Sequence, residues 1–237
     1  YLINRFRGDV SLFDDALPVI GSRTGLDSLG IVPWFDGARA LPAEDTASLE
    51  DRYTGQDWST AKIRIAVPRL PRIANFDDLD PLAAEPGVAL RLVHPGEKLP
   101  ADAHLILLAG SKSTRGDLDD LRHHGWAEDI QAAAKRGAHI MGICGGYQML
   151  GRSVADPDGI EGSAGTTEGL GLLDIETTIT EEKMISPASG HAVTDGTEIT
   201  GFEMHMGYTS GPDTLSPLVN LSDGRTDGAA AQERRIS

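Results

Sequence analysis

His139-Ile-Met-Gly-Ile-Cys-Gly-Gly-Tyr-Gln-Met-Leu-Gly151 is the stretch on which both fold and chemistry turn. His139 to Ile143 reads as an apolar strand, a thiol follows, and Gly145 to Gly151 reads as a short helix closing on glycine. Strand, tight bend and helix with a nucleophile at the bend make the cysteine form of a nucleophile elbow. The bend calls for glycines because neighbouring side chains would collide there, and it lifts Cys144 above the sheet edge. Two consequences are expected. The helix N-terminus should lower the thiol pKa, and the backbone N–H of Gly145 should face the place where an oxyanion would form. The plain alternative for a lone cysteine is a small buried hydrophobe. A merely structural cysteine gains nothing from the three glycines around it, which favours catalysis.

Working outward, Lys62 to Val67, Gly87 to Val93 and His104 to Ala109 read as strands, the first with Ile63, Ile65 and Val67 alternating with Arg64 and Ala66. Arg115 to Arg136 reads as one helix, acidic at its start (Asp117, Asp119, Asp120), basic at its end (Lys135, Arg136), weakened by Gly125 and ended by Gly137. This order predicts an α/β fold, a mostly parallel sheet flanked by helices. From Leu170 onward the pattern turns β-rich, with Leu170 to Thr180, His191 to Val193 and Gly201 to Thr209 as strands. Gly110, at the carboxyl end of a parallel strand, sits where such sheets bind ligands, and its N–H is a candidate second oxyanion donor. Gly110-Ser-Lys-Ser-Thr114 is no phosphate loop: that motif needs glycine where Ser111 and Ile106 stand.

Residues 1 to about 50 read as a strand (Tyr1 to Phe6), an amphipathic helix (Leu12 to Arg23) and a short strand (Gly30 to Trp34), too few elements to close a sheet. That piece needs a partner. The polar run Pro42 to Thr60 has linker composition, so the expected boundary lies near Ala61, dividing the chain into 1–60 and 61–237. An opening at Tyr1 without Met, directly in an apolar run, is read as a sign that more chain precedes it.

The 237 residues are 40% hydrophobic, enough for an ordinary core, and the net charge of -15 argues against a grip on nucleic-acid phosphates. One cysteine rules out an internal disulfide. No apolar run nears the roughly 20 residues of a membrane span. A cytoplasmic enzyme with small-molecule or protein partners is the expectation.

Gly142 to Gly151 resembles the active-site signature of class I, triad-type glutamine amidotransferases. Val67-Pro-Arg-Leu-Pro-Arg-Ile-Ala-Asn-Phe-Asp-Asp-Leu-Asp80, Gly110 to Thr114 and Gly201-Phe-Glu-Met-His-Met-Gly207 resemble the cobyric acid synthase branch. Asn4-Arg-Phe-Arg-Gly-Asp9 and Ala43-Glu-Asp45 are similar to the tail of that family's ATP-dependent synthetase domain, so the resemblance covers essentially the whole chain. It implies that Cys144 is the nucleophile, that Gly110 and Gly145 supply oxyanion donors, and that Gln148 lies beside bound glutamine. It further implies amidation of peripheral carboxylates of adenosylcobyrinic acid a,c-diamide on the way to cobalamin. Glutamine would supply the nitrogen, the corrinoid would bind through the synthetase domain, and ATP and Mg²⁺ would act there, with no cofactor in this piece. The family's histidine lies in a Tyr-Leu-His-Gly pattern, which the chain, ending at Ser237, does not contain; the synthetase domain's phosphate loop is missing too.

Glu203 and His205 lie two apart on an expected strand and so share a face; the carboxylate could orient the imidazole as a substitute base, or both could belong to a polar network. His123 and His124 point about 100° apart on a helix, a poor chelating pair, and are read as solvated. Glu181-Glu182 and the aspartates near 117 are read as wet surface and helix start, with no metal site. Competing readings are a sister amidotransferase (cobyrinic acid a,c-diamide synthase or a peptidoglycan-precursor amidase), a redox protein with an elbow cysteine, and a non-catalytic subunit lacking its base.

Overall fold

Ile3–Phe6 (β1) and Ile31–Pro33 (β2) pair in parallel, connected through the helix Ala16–Thr24 (α1). The computed structural model describes residues 1–35, Tyr53 and 57–237, which fall into two compact units, Tyr1–Ser48 and Leu49–Ser237. The expected strand, helix and strand of the first unit are all formed. None of residues 1–35 is fully buried, and Leu12, Leu29 and Phe35 are 83%, 79% and 69% exposed. The linker run Pro42 to Thr60 and the stretch Ala43 to Asp45 lie for the most part outside the described residues. Tyr53 and Trp58, within that run, are tied to the second unit: the Tyr53 hydroxyl donates to Asp80 at 2.6 Å and the Trp58 indole N–H to Asp102 at 3.1 Å.

The second unit is built on a four-stranded parallel sheet. Its strands are Ile63–Pro68 (β3), Val88–Val93 (β5), Leu105–Leu108 (β6) and His139–Gly142 (β8), in the order β5-β3-β6-β8. Between them come the short strand Ile73–Ala74 (β4), the helix Asp80–Ala84 (α2) and the strand Gly110–Ser111 (β7), with β4 and β7 forming an antiparallel ribbon. Apolar runs form these strands because both sheet faces are covered. Ala66, Ile106, Leu108 and Ile140 are fully buried in a core shared with Trp126, Ile130 and Met149.

The single helix expected over 115–136 is two, Thr114–His123 (α3) and Trp126–Arg136 (α4). Gly125 adopts a left-handed φ of 74° between them, a conformation open to glycine that turns the chain rather than merely weakening it. This turn lets Trp126 enter the core, where its indole N–H donates to Glu97 O at 2.8 Å. The His123 ring is exposed as expected, but His124 is half-buried, its ring 4.9 Å from that of Trp126.

After α5 (Gly145–Leu150) comes a second, mixed sheet made by Ser153–Asp156 (β9), Gly165–Glu168 (β10), Glu176–Ala192 (β11), Glu198–Ser210 (β12), Val219–Leu221 (β13) and Thr226–Asp227 (β14). The β-rich reading holds, with different boundaries: Leu170 to Asp174 is loop, and His191 belongs to β11, whose long antiparallel pairing with β12 dominates. Among the described residues no helix is long and apolar enough to cross a membrane. The last residues return to the first sheet. Ile236, buried, bridges Ile140 in parallel; the Gly142 N–H donates to Ser237 O at 2.7 Å, and the Ser237 N–H to Ile140 O at 3.0 Å.

Candidate active site

Cys144 stands at the carboxyl end of β8 with φ 52° and ψ -113°, a left-handed conformation that a residue with a side chain adopts only under constraint. The constraint is visible in the glycines. A Cβ on Gly142 would lie 2.4 Å from the Gly146 carbonyl carbon, and one on Gly146 would lie 2.0 Å from Leu108 O. Both small residues are required for α5 to pack so tightly on the ends of β6 and β8. The Cys144 side chain reaches the surface.

Its thiol departs from the sequence expectation. The Gly145 N–H does favour the thiolate, but burial of the sulfur outweighs it, and the negative charges of Asp78 and Glu161 add to the upward push. Cys144 is therefore held above the ordinary thiol value.

Gly110 is close by, a Cβ on it lying 3.9 Å from Cys144 Cβ and 3.2 Å from Ala74 O. Its N–H is not the free donor expected. In an antiparallel ladder alternate pairs exchange hydrogen bonds. The Lys112 N–H bond to Arg72 O, 2.9 Å, makes Arg72 and Lys112 one such pair, Ile73 and Ser111 an unbonded pair, and Ala74 and Gly110 the next bonded one. Gly110 N–H is thus directed at Ala74 O. Ser111 turns its N–H the other way, to within 3.0 Å of the position a Cβ on Gly145 would take. The backbone nitrogen of Ser111 thus lies beside Gly145 at the elbow.

Gln148 is buried one turn into α5. It accepts from Thr114 Oγ1 at 3.1 Å and donates to Met206 O at 3.3 Å. Met206 is brought there by a bulge: three extra residues of β11 fit between the pairs Thr178–Tyr208 and Lys183–Met206. Gly207 takes φ 88° at the bulge, where a Cβ would lie 2.3 Å from Thr178 O.

Three acidic residues that the sequence reading left out of the site lie nearby. Asp156, fully buried, accepts from the N–H groups of Ile160 and Glu161 at 2.8 and 2.9 Å and so fixes the loop that delivers Glu161. Glu161 accepts from Thr114 Oγ1 at 3.4 Å, while among the described residues its buried Oε2 has no hydrogen-bond partner. Burial pushes its carboxyl up, against the pull of the Thr114 and Arg115 amides at the start of α3. The third, Asp117, read as part of a helix start, does lie in the first turn of α3, but it is fully buried there. It accepts from Ser111 Oγ at 2.6 Å and Arg72 Nη1 at 3.0 Å. No spacing signal distinguishes it from Asp119 and Asp120, which share its helix.

Glu203 and His205 do pair, Oε1 to Nε2 at 3.1 Å, but His205 Nδ1 faces Gly207 O at 3.2 Å, and Arg225 holds Glu203 at 2.9 and 3.1 Å. The Arg225 guanidinium keeps the Glu203 carboxyl below its ordinary range. Both ring nitrogens of His205 face acceptors on their own strand, and among the described residues no hydrogen bond joins His205 to Cys144. This is the polar-network arrangement.

Residues 64–237 match the family model described as a CobB/CobQ-like glutamine amidotransferase domain. The whole chain aligns with cobyric acid synthases, 50% identical over 236 residues in Methylobacterium nodulans and 51% over 236 residues in Rhodobacter capsulatus. In each case it covers 100% of this chain and 48% of the relative, so the chain spans about half the length of the curated relatives it matches. The solved structure of PurLQS from Thermotoga maritima superimposes with a TM-score of 0.56 at 21% identity, over 73% of this chain and 84% of that one. The likeness is one of fold.

Proposed function

Because the chain belongs to the CobB/CobQ-like glutamine amidotransferase domain family, we propose that it is the glutaminase half of a cobyric acid synthase. The single observation that carries the reading is the strained elbow at Cys144, a nucleophile held at φ 52° at the carboxyl end of β8 between close-packed glycines. The Cys144 thiolate attacks the side-chain carbonyl carbon of glutamine. The resulting oxyanion is held by the N–H groups of Gly145 and Ser111. As the tetrahedral intermediate collapses, the C–N bond breaks, the proton that a base took from the thiol passes to the nitrogen, and ammonia leaves. Water then attacks the γ-glutamyl thioester, releasing glutamate and restoring the thiol. Gln148, one turn into α5, is placed to lie beside the glutamine.

A thiol pushed above its ordinary value needs a base to ionise it at neutral pH. His205 is not placed for this. The run Arg235–Ser237 lies parallel beside β8. In the whole protein, ammonia would pass to a carboxylate of a corrinoid activated by the synthetase half, where ATP and Mg²⁺ would bind. The exposed apolar side chains of residues 1–35 are surface for that half to cover.

Cys144→Ala in the full-length protein tests the reading. Amide formation from glutamine should disappear while formation from ammonium salts continues; parallel loss of both would make the cysteine structural.

A further inference from the structure

We propose that Asp117 is a positioning residue for the glutaminase step, aiming the Ser111 amide at the substrate oxyanion through the Ser111 hydroxyl and Arg72. The inference rests on the glutaminase reading and adds to it the device that orients one of the two amides.

Asp117 is fully buried at the first turn of α3, and its acceptor bonds reach Ser111 in β7 and Arg72, next to β4. From β7 it receives the Ser111 hydroxyl, Oγ to Oδ2 at 2.6 Å. From the residue just before β4 it receives the Arg72 side chain at 3.0 Å and the Arg72 N–H at 3.3 Å, both on Oδ1. The ring closes through the backbone: Ser113 N–H donates to Ser111 Oγ at 3.0 Å, and Asp117 N–H to Ser113 O at 3.0 Å. Ser111 is thus held at its hydroxyl from two sides, which fixes the peptide plane carrying its N–H.

The surroundings are shaped for this arrangement. Gly116 sits inside α3, where glycine weakens a helix; a Cβ there would lie 3.0 Å from Arg72 Cζ, Arg72 Nη1 and Ser113 Oγ. Asp120 takes the outer side of the same guanidinium at 2.8 Å. A buried carboxylate is unfavourable by itself, and burial pushes the Asp117 carboxyl up even against these donors. An apolar residue would fill the space without that penalty, but it could not hold Ser111.

The test uses two reactions of Cys144 in the full-length protein: release of glutamate from glutamine, which passes through an oxyanion, and alkylation by iodoacetamide, which does not. Ser111→Ala and Asp117→Asn should lower kcat for glutamine roughly 10- to 100-fold, with KM within about threefold and the alkylation rate unchanged. Ser111→Thr, which keeps the hydroxyl, should recover most of the loss. Unchanged kcat in Ser111→Ala, or alkylation falling in step with kcat, would overturn the proposal. Should Asp117→Asn fail to fold, the Ser111 pair decides, since it leaves the Asp117–Arg72 contact in place. Wild-type glutamate release that does not depend on Cys144 would remove the glutaminase reading itself; Cys144-dependent release with indifferent variants removes only the positioning role.

Discussion

Cys144 combines a backbone under strain with a sulfur whose surroundings resist ionisation. The strain places it; about 1–3 kcal/mol is stored in such a conformation, and it persists only where neighbours over-determine it. The resistance comes from burial first, then from Asp78 and Glu161. Alkylation of this chain by iodoacetamide should therefore rise with pH to a midpoint above the ordinary thiol value of 9.0. Asp78→Asn removes a negative charge, stabilises the thiolate and should shift the midpoint downward. A midpoint at or below the ordinary thiol value in the unsubstituted chain would contradict this account. Tyr147, pushed up to about 12 chiefly by burial, does not titrate in that window. The elbow was legible in the sequence because glycine clustering is a local signal. The direction of the thiol shift was not, because Asp78 and Glu161 lie far from Cys144 in the chain. The helix-start reading of Asp117 holds, but its burial was not legible for the same reason: its partners Arg72 and Ser111 come from other elements.

At the scale of elements, the packing of α5 on β6 is the least forgiving contact of the site. Gly146→Ala would drive a methyl carbon to 2.0 Å from Leu108 O, backbone against backbone, with no flexible side chain to yield. It should destabilise the protein by at least about 3 kcal/mol in urea unfolding, whereas Gly201→Ala should change stability by less than about 1 kcal/mol. Gly201 has nothing within 4 Å of the added carbon. Equal effects would mean that α5 is looser than its geometry implies. The parallel strands were readable because burial on both faces imposes apolar runs. The break at Gly125 was readable only as weakness, since a glycine inside a helix and a glycine between two helices look alike until Trp126 is seen in the core. The long β11–β12 hairpin was obscured by Pro187, which ordinarily argues against a strand interior. It is tolerated because β9 pairs only with residues 176–178 of β11 and β13 only with 190–192, leaving the other edge at Pro187 without a paired strand.

Across the whole molecule, burial separates the two units. In the second, Val67, Leu108 and Ile140 are fully enclosed, whereas residues 1–35 hold no fully buried side chain and leave Leu12, Leu29 and Phe35 largely in water. The hydrogen bonds joining β1 to β2 lie in a small sheet of two strands, and an isolated pair of strands is marginal in water. Backbone amides open at the free energy of the smallest cooperative unit that contains them. In hydrogen-exchange mass spectrometry of this 237-residue chain, peptides covering Ile3–Phe6 and Ile31–Pro33 should therefore label at least about a hundredfold faster than those covering β3, β6 and β8. In the full-length protein, where the proposed synthetase half would cover these apolar side chains, the first two peptides should slow toward the rest while β3, β6 and β8 hardly change. Equal protection of both units in the short chain would show the first unit to be self-sufficient and would remove the need for a covering half. Fast labelling that persisted in the full-length protein would show that the exposed apolar face of residues 1–35 is not where the other half docks.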